Sequence, residues 1–177
     1  LTEAATKKSL SVSVVRRPAD VSQVATLGPD PLDAAFDRDA FAALLSGRRT
    51  QIKGLLRDQA TIAGIGNAYS DEILHAAHLS PYAIAATLDE ATVARLYDAM
   101  VATLAEAVAE ASGKPPADLK DAKRRGMKVH GRRGETCPVC GDTVRSVFFA
   151  ERSLEYCPTC QTGGTPLADR RMSRLLH

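Results

Sequence analysis

The chain has four cysteines in 177 residues, and they fall in two closely set pairs: Cys137-Pro138-Val139-Cys140 and Cys157-Pro158-Thr159-Cys160. Each pair makes a tight turn that offers two sulfurs to one side of a tetrahedral ion. The residues between them, 142–156, have the length and β-character of a hairpin that brings the pairs together. This spacing lies in the range of zinc ribbons, two C-x-x-C pairs about 15–20 residues apart. Four thiolates suit zinc, which is borderline-soft and has no geometric preference against a tetrahedron. Two disulfides are the alternative, disfavoured by two-residue spacings within a hairpin. A redox dithiol would need one isolated pair near a helix N-terminus. A site closed by four thiolates leaves no position for water, so its zinc is structural, and the question becomes what it holds in place.

The charge is unevenly placed. The formal net charge is +2, but residues 115–177 carry 12 Lys/Arg against 7 Asp/Glu, while residues 1–114 carry 11 against 14. The cysteine-bearing end is therefore electropositive. That points to nucleic acid or another polyanion, although a solvated basic surface gives the same count. With 45% hydrophobic and 25% charged residues, the composition is globular. The length allows one ordinary domain or two small ones. There is no secretory signal, and no apolar run approaches the ~18 residues of a membrane span. Thiols reserved for metal fit a reducing compartment, so a cytoplasmic, nucleoid-associated location is expected.

Taken in order, Leu10, Val12 and Val14 alternate with Ser11, Ser13 and Val15 and read as a strand, with 22–27 as its short partner. Residues 28–113 are helical by pattern. Asp30-Pro31 is a helix start signal, and Gly47 stops the run containing Phe36, Phe41, Leu44 and Leu45. Thr50 can cap a short helix over 51–57. A second helix is expected over 68–78. Thr87 and Glu90 match a capping box that opens a long helix over about 89–112, ended by Gly113. Pro115-Pro116 marks a boundary. Beyond it, 120–128 is basic, 127–130 has the character of a strand start, and 167–176 reads as a short basic helix.

Gly64-Ile65-Gly66-Asn67 lies where one short helix gives way to another. Glycines let a backbone approach a ligand closely. The amides of a helix start carry the positive end of the dipole, which makes an anion site; with nucleic acid the anion is a phosphate. Asn67 adds a side-chain donor, and Lys53, fourteen residues earlier, can converge on the same anion. A tight helix–helix turn would require the same glycines. Arg145 and Arg152 lie between the cysteine pairs, where a rigid hairpin can present an arginine to a phosphate. A plain surface charge is the alternative for either.

Several segments occur together in a characteristic order. They are Leu27-Gly28-Pro29-Asp30-Pro31-Leu32, Gln51-Ile52-Lys53, Gly64-Ile65-Gly66-Asn67-Ala68-Tyr69-Ser70-Asp71-Glu72, Val129-His130-Gly131-Arg132-Arg133-Gly134-Glu135-Thr136-Cys137, and the four-cysteine finger. The chain resembles the C-terminal part of the formamidopyrimidine-DNA glycosylase / endonuclease VIII family of base-excision repair enzymes. The resemblance implies a mainly α fold with small β parts. It consists of a helix–two-turn–helix bundle over 28–116, a β-hairpin zinc finger over 117–162 and a basic tail over 163–177. Residues 1–27 would be the remnant strands and linker of an N-terminal β-sandwich. Carried over by position, Lys53, Asn67 and Arg152 bind the phosphates around a flipped nucleotide, beside the Gly64 and Gly66 backbone. Cys137, Cys140, Cys157 and Cys160 hold one structural zinc. His130 stands where relatives often carry an aromatic residue.

Family enzymes begin with a Pro-Glu pair whose proline amine is the nucleophile. This chain begins Leu1-Thr2-Glu3, so it is expected to be a fragment that binds zinc and DNA as a monomer and carries no catalytic residue. The short stretch between Gly113 and Cys137 resembles the endonuclease VIII side, which favours oxidised pyrimidines. A non-catalytic nucleic-acid-binding module, regulatory or ribosome-associated, is the competing reading, and the attached finger with Arg152 argues against it.

Overall fold

The computed structural model describes residues 11–115, 117–149 and 152–168, with the backbone alone at 120, 122, 149 and 152. The helices are α1 (Ser22–Ala25), α2 (Arg38–Leu45), α3 (Ile52–Leu56), α4 (Asn67–Ala76), α5 (Glu90–Ala111), α6 (Leu119–Gly126) and α7 (Pro158–Thr162). The strands β1 (Arg145–Phe149) and β2 (Arg152–Tyr156) lie between α6 and α7. No described helix is long and apolar enough to cross a membrane.

The expected N-terminal strand pair does not form among the described residues; Leu10 itself lies outside them. Residues 11–15 form no strand, and Val14 is 98% exposed. Pro18–Asp20 is a 3-10 turn that leads into α1. A strand without a partner leaves its backbone groups unmet, whereas a turn closes them locally. Pro18 supplies a helix-compatible φ, and Arg17 pairs with Asp20 at 2.9 Å.

The first long helix starts later than Asp30-Pro31 suggested. The Asp30 and Asp33 carboxylates accept from the amides of Leu32 and Ala35, which holds 30–36 in turns. Asp37 then caps α2 through the Ala40 amide at 2.9 Å. At α5 the cap is Asp89, bonded to the Thr92 amide at 2.8 Å; Thr87 sits in a preceding 3-10 turn.

The helical core is a single cluster. Ile73 and Leu74 of α4 meet Leu96 and Met100 of α5, with Ile52 and Leu56 of α3 beside them, all fully buried. Phe36 meets Phe41 edge-on, and Tyr97 packs against both at a tilt. Gly28 lies tight against the chain at Thr61: a Cβ there would lie 2.5 Å from the Thr61 carbonyl carbon, so no larger residue fits.

Residues 127–130 do not start a strand. The basic segment before them forms α6, packed on α5, and the amides of Lys128, Val129 and His130 all point at the Glu72 carboxylate of α4. The finger is an antiparallel hairpin in which Arg145 faces Tyr156 and Phe149 faces Arg152. Val147, Leu154 and Tyr156 form its small core, and the Tyr156 hydroxyl accepts from the Leu167 amide at 2.7 Å. Residues 167 and 168 are not helical, and the rest of the expected tail helix, 169–176, lies outside the described residues.

Candidate nucleic-acid interface and metal centre

The start of α4 is the candidate anion site. Gly64 adopts φ +83°, a left-handed conformation that side chains rarely tolerate. The Gln59 side chain shapes this turn, accepting from the Gly64 amide at 2.9 Å and donating to the Ile65 carbonyl at 2.8 Å. Gly66 is the extended N-cap residue, and no side chain caps the helix. The first amides of a ten-residue helix therefore face outward with the positive end of its dipole.

The side chains expected to join this site are partly committed elsewhere. Asn67 Nδ2 donates to the Ser153 carbonyl of β2 at 2.9 Å, across 86 residues of chain, and its Oδ1 is buried without a partner. Ser153 follows Arg152 in β2, so that bond sets the backbone of Arg152 beside the helix start. The Arg152 side chain lies outside the described residues. Lys53 is 7% exposed and points up beneath the helix start. Its Nζ reaches Asp71 Oδ1 at 2.5 Å, Ser70 Oγ at 2.9 Å and the Asn67 carbonyl at 3.3 Å. All three of its protons are thus used inside the protein. Burial lowers the Lys53 pKa, and the Asp71 charge opposes that shift.

A network that the sequence did not signal lies behind this site. His130 Nδ1 is 2.8 Å from Asp71 Oδ2 and 3.1 Å from Glu155 Oε2. The hydrogen bond to Asp71 raises the His130 pKa above its ordinary value. With His130 protonated, two cations face two carboxylates, and the cluster is balanced. The only hint in the sequence was the replacement of an aromatic residue by His130.

The four cysteine sulfurs converge. Cys137 and Cys160 Sγ are 3.9 Å apart, and Cys140 and Cys157 Sγ 3.3 Å. A tetrahedral zinc with Zn–S of about 2.3 Å sets sulfurs about 3.8 Å apart, so the set fits the ion. Burial pushes the Cys157 thiol up to about 11 and raises that of Cys160 as well. Without a cation these buried sulfurs keep their protons, and zinc binding displaces them. Asp142 braces the two turns by accepting from both the amide and the hydroxyl of Thr159. A histidine from outside the finger also belongs to this neighbourhood: His75 Nε2 of α4 lies 3.3 Å from Cys137 Sγ.

Known proteins share this arrangement. A family model described as "Formamidopyrimidine-DNA glycosylase H2TH domain" matches residues 27–115, and another, "Zinc finger found in FPG and IleRS", matches 134–163. A relative in Mycobacterium tuberculosis, "Uncharacterized formamidopyrimidine-DNA glycosylase-like protein", is 55% identical over 89% of this chain and 99% of its own length. The chain belongs to the formamidopyrimidine-DNA glycosylase family.

Like the zinc fingers of this glycosylase family, its four-cysteine finger takes one structural zinc ion. A "Formamidopyrimidine-DNA glycosylase" of Desulfitobacterium hafniense is 37% identical over 88% of this chain but only 60% of that protein. Two solved family structures align similarly. One, the MutM (Fpg) protein from Thermus thermophilus, has a TM-score of 0.71 and 39% identity over 83% of this chain and 57% of that one. The other is described as "Structure of MutM in complex with carbocyclic 8-oxo-G containing DNA". It has a TM-score of 0.69 and 30% identity over 77% of this chain and 51% of that one. The chain thus spans little more than half the length of these glycosylases.

Proposed function

We propose that residues 28–162 are the DNA-gripping part of a base-excision repair glycosylase/AP lyase that acts on oxidised bases and abasic sites in double-stranded DNA as a monomer. Residues 28–116 form one unit and the finger, 117–162, the other. The observation that carries this reading is the Asn67–Ser153 hydrogen bond, which joins the uncapped start of α4 to the strand bearing Arg152. Two parts of the chain far apart in sequence thereby share one anion-binding face. Extracting a base from a duplex costs a few kcal/mol of stacking and pairing. Contacts to phosphates hold the bent backbone while that happens and read no sequence, which suits a protein that meets damage anywhere.

In this reading Gly64 and Gly66 let the backbone approach a phosphate, and Asn67 and Arg152 donate to it. Lys53 fixes the helix start by holding the Asn67 carbonyl, and its charge lies beneath the phosphate. The family's solved complex with 8-oxo-G DNA supports oxidised bases as the class. Within that class, the short stretch between Gly113 and Cys137 favours oxidised pyrimidines.

The test is duplex binding by fluorescence anisotropy over a range of salt, with an abasic-site analogue in the DNA. Arg152→Ala should weaken binding similarly for any sequence and lower the slope of log K against log salt by about 1. Asn67→Ala should weaken binding with a smaller change in slope, because the amide is uncharged. A wild-type slope in Arg152→Ala would remove that residue from the interface.

A further inference from the structure

We propose that His75 is a reserve ligand of the zinc centre, whose Nε2 takes the fourth position on the metal when the Cys140 sulfur is lost. His75 is 1% exposed in the last turn of α4, 62 residues before Cys137 in sequence. One of its ring nitrogens lies within 4.8 Å of Cys137, Cys157 and Cys160 Sγ together, and Nε2 is 3.3 Å from the first of them. In a tetrahedral zinc site with ordinary Zn–N and Zn–S bonds, nitrogen and sulfur ligands stand about 3.6 Å apart. His75 is therefore already placed for co-ligation with these sulfurs.

Cys140 contrasts with it on two counts. It is the exposed member of the four cysteines, so solvent reaches it first. It also falls outside the tight set that His75 forms with the other three sulfurs. Imidazole suits zinc as well as thiolate does, and three cysteines with one histidine is a common structural ligand set.

The chemistry of the exchange balances without an oxidant or reductant. A neutral imidazole carries one proton. On Nε2 that proton donates to the Cys137 sulfur; on Nδ1 it leaves the Nε2 lone pair free for the metal. The zinc–Cys140 bond would break with its thiolate leaving to solvent and taking a proton there, a zinc–Nε2 bond would form, and one proton would change ring nitrogen. Because His75 belongs to α4, the exchanged centre would also tie the finger directly to the helix whose start forms the anion site.

The experiment compares zinc content and cobalt(II) spectra of the full chain and of Cys140→Ser, Cys137→Ser, His75→Phe and Cys140→Ser/His75→Phe. Cys140→Ser should keep about one zinc per chain through a chelator wash. Its cobalt form should lose about a quarter of the thiolate charge-transfer intensity, and its ligand-field bands should move to shorter wavelength. The double variant should bind metal at least about tenfold more weakly than Cys140→Ser. Equal metal loss by Cys140→Ser and Cys137→Ser would overturn the proposal, as would a cobalt spectrum of Cys140→Ser unaltered by adding His75→Phe. If the double variant does not fold, cadmium-loaded, nitrogen-labelled Cys140→Ser decides the matter by NMR. Scalar coupling between the cadmium and the His75 ring nitrogen is expected, and its absence would rule out ligation.

Discussion

Glu72 offers a demanding test of how the finger is joined to the helices. Its side chain is 6% exposed. Oε1 accepts from the amides of Val129 at 2.9 Å and His130 at 2.8 Å, and Oε2 accepts from Lys128 at 2.8 Å. Hydrogen bonds to a charged group contribute about 1.5–3 kcal/mol each, and an unmet buried donor costs about 1–3 kcal/mol. Glu72→Gln keeps one oxygen. With that oxygen at the Oε1 position two neutral bonds survive, and the new NH₂ faces the Lys128 amide, donor against donor. The expected loss is about 2–4 kcal/mol. Glu72→Ala leaves all three amides without the carboxylate, one of them on fully buried Val129, and should cost about 3–5 kcal/mol. Urea unfolding at a fixed excess of zinc measures both. Native-state hydrogen exchange should show the amides of 128–130 losing protection before the core of α4 and α5. Unfolding free energies within about 0.5 kcal/mol of wild type for both variants, the range of an ordinary surface change, would refute the reasoning.

Two further outcomes follow from the charges around this junction. The His130 pKa is raised, chiefly by its hydrogen bond to Asp71, so the stabilisation from protonation is complete below the ordinary histidine value of about 6.5. It is lost as pH rises through the folded-state value. The stability gap between wild type and His130→Gln should therefore narrow with rising pH, and a gap independent of pH would show that the ring is bound neutral. A cleft of about 490 Å³ is lined by Ala68 of α4 together with Lys123, Arg124, Arg125, His130 and Arg132, and its one acid, Glu135, is paired with Arg132 at 2.8 Å. Arg124→Glu/Arg125→Glu should lower duplex affinity and flatten the salt slope by about 2; an unchanged slope would exclude α6 from the interface.

What was legible in the sequence was whatever depends on local spacing. The cysteine pairs, the helix that follows Gly66-Asn67, the long helix ended by Gly113 and the hairpin between the pairs could all be read from it. Boundaries slipped where two side chains competed for one task. Asp89 caps α5 although Thr87 and Glu90 fit a capping box, and the Asp30 and Asp33 turns delay α2 past Asp30-Pro31. The N-terminal strands misled because alternation alone cannot supply a pairing partner. The basic run at 120–128 concealed a helix because its charges mask periodicity, and 127–130 resembled a strand although its amides are claimed by Glu72. At the candidate site the residue types were visible but their commitments were not. Nothing local to Lys53 announces that Asp71, Ser70 and the Asn67 carbonyl will use its three protons.

Those commitments explain why charged groups are buried at the junction at all. Lys53 comes from α3, Asp71 from α4, His130 from the linker and Glu155 from β2, and the four make one connected cluster. Burying such ions gains little net stability, because desolvation offsets most of their attraction. Removing one partner is another matter: a buried charge left unpaired costs about 3–5 kcal/mol. A finger docked in another register on α4 would take His130 from Asp71 Oδ2 and leave that buried carboxylate with Lys53 alone. The cluster thus adds little to the depth of the native state and much to the penalty of its alternatives. It holds β2 in the one orientation that sets Ser153 on Asn67, and with it the backbone of Arg152 beside the open end of α4.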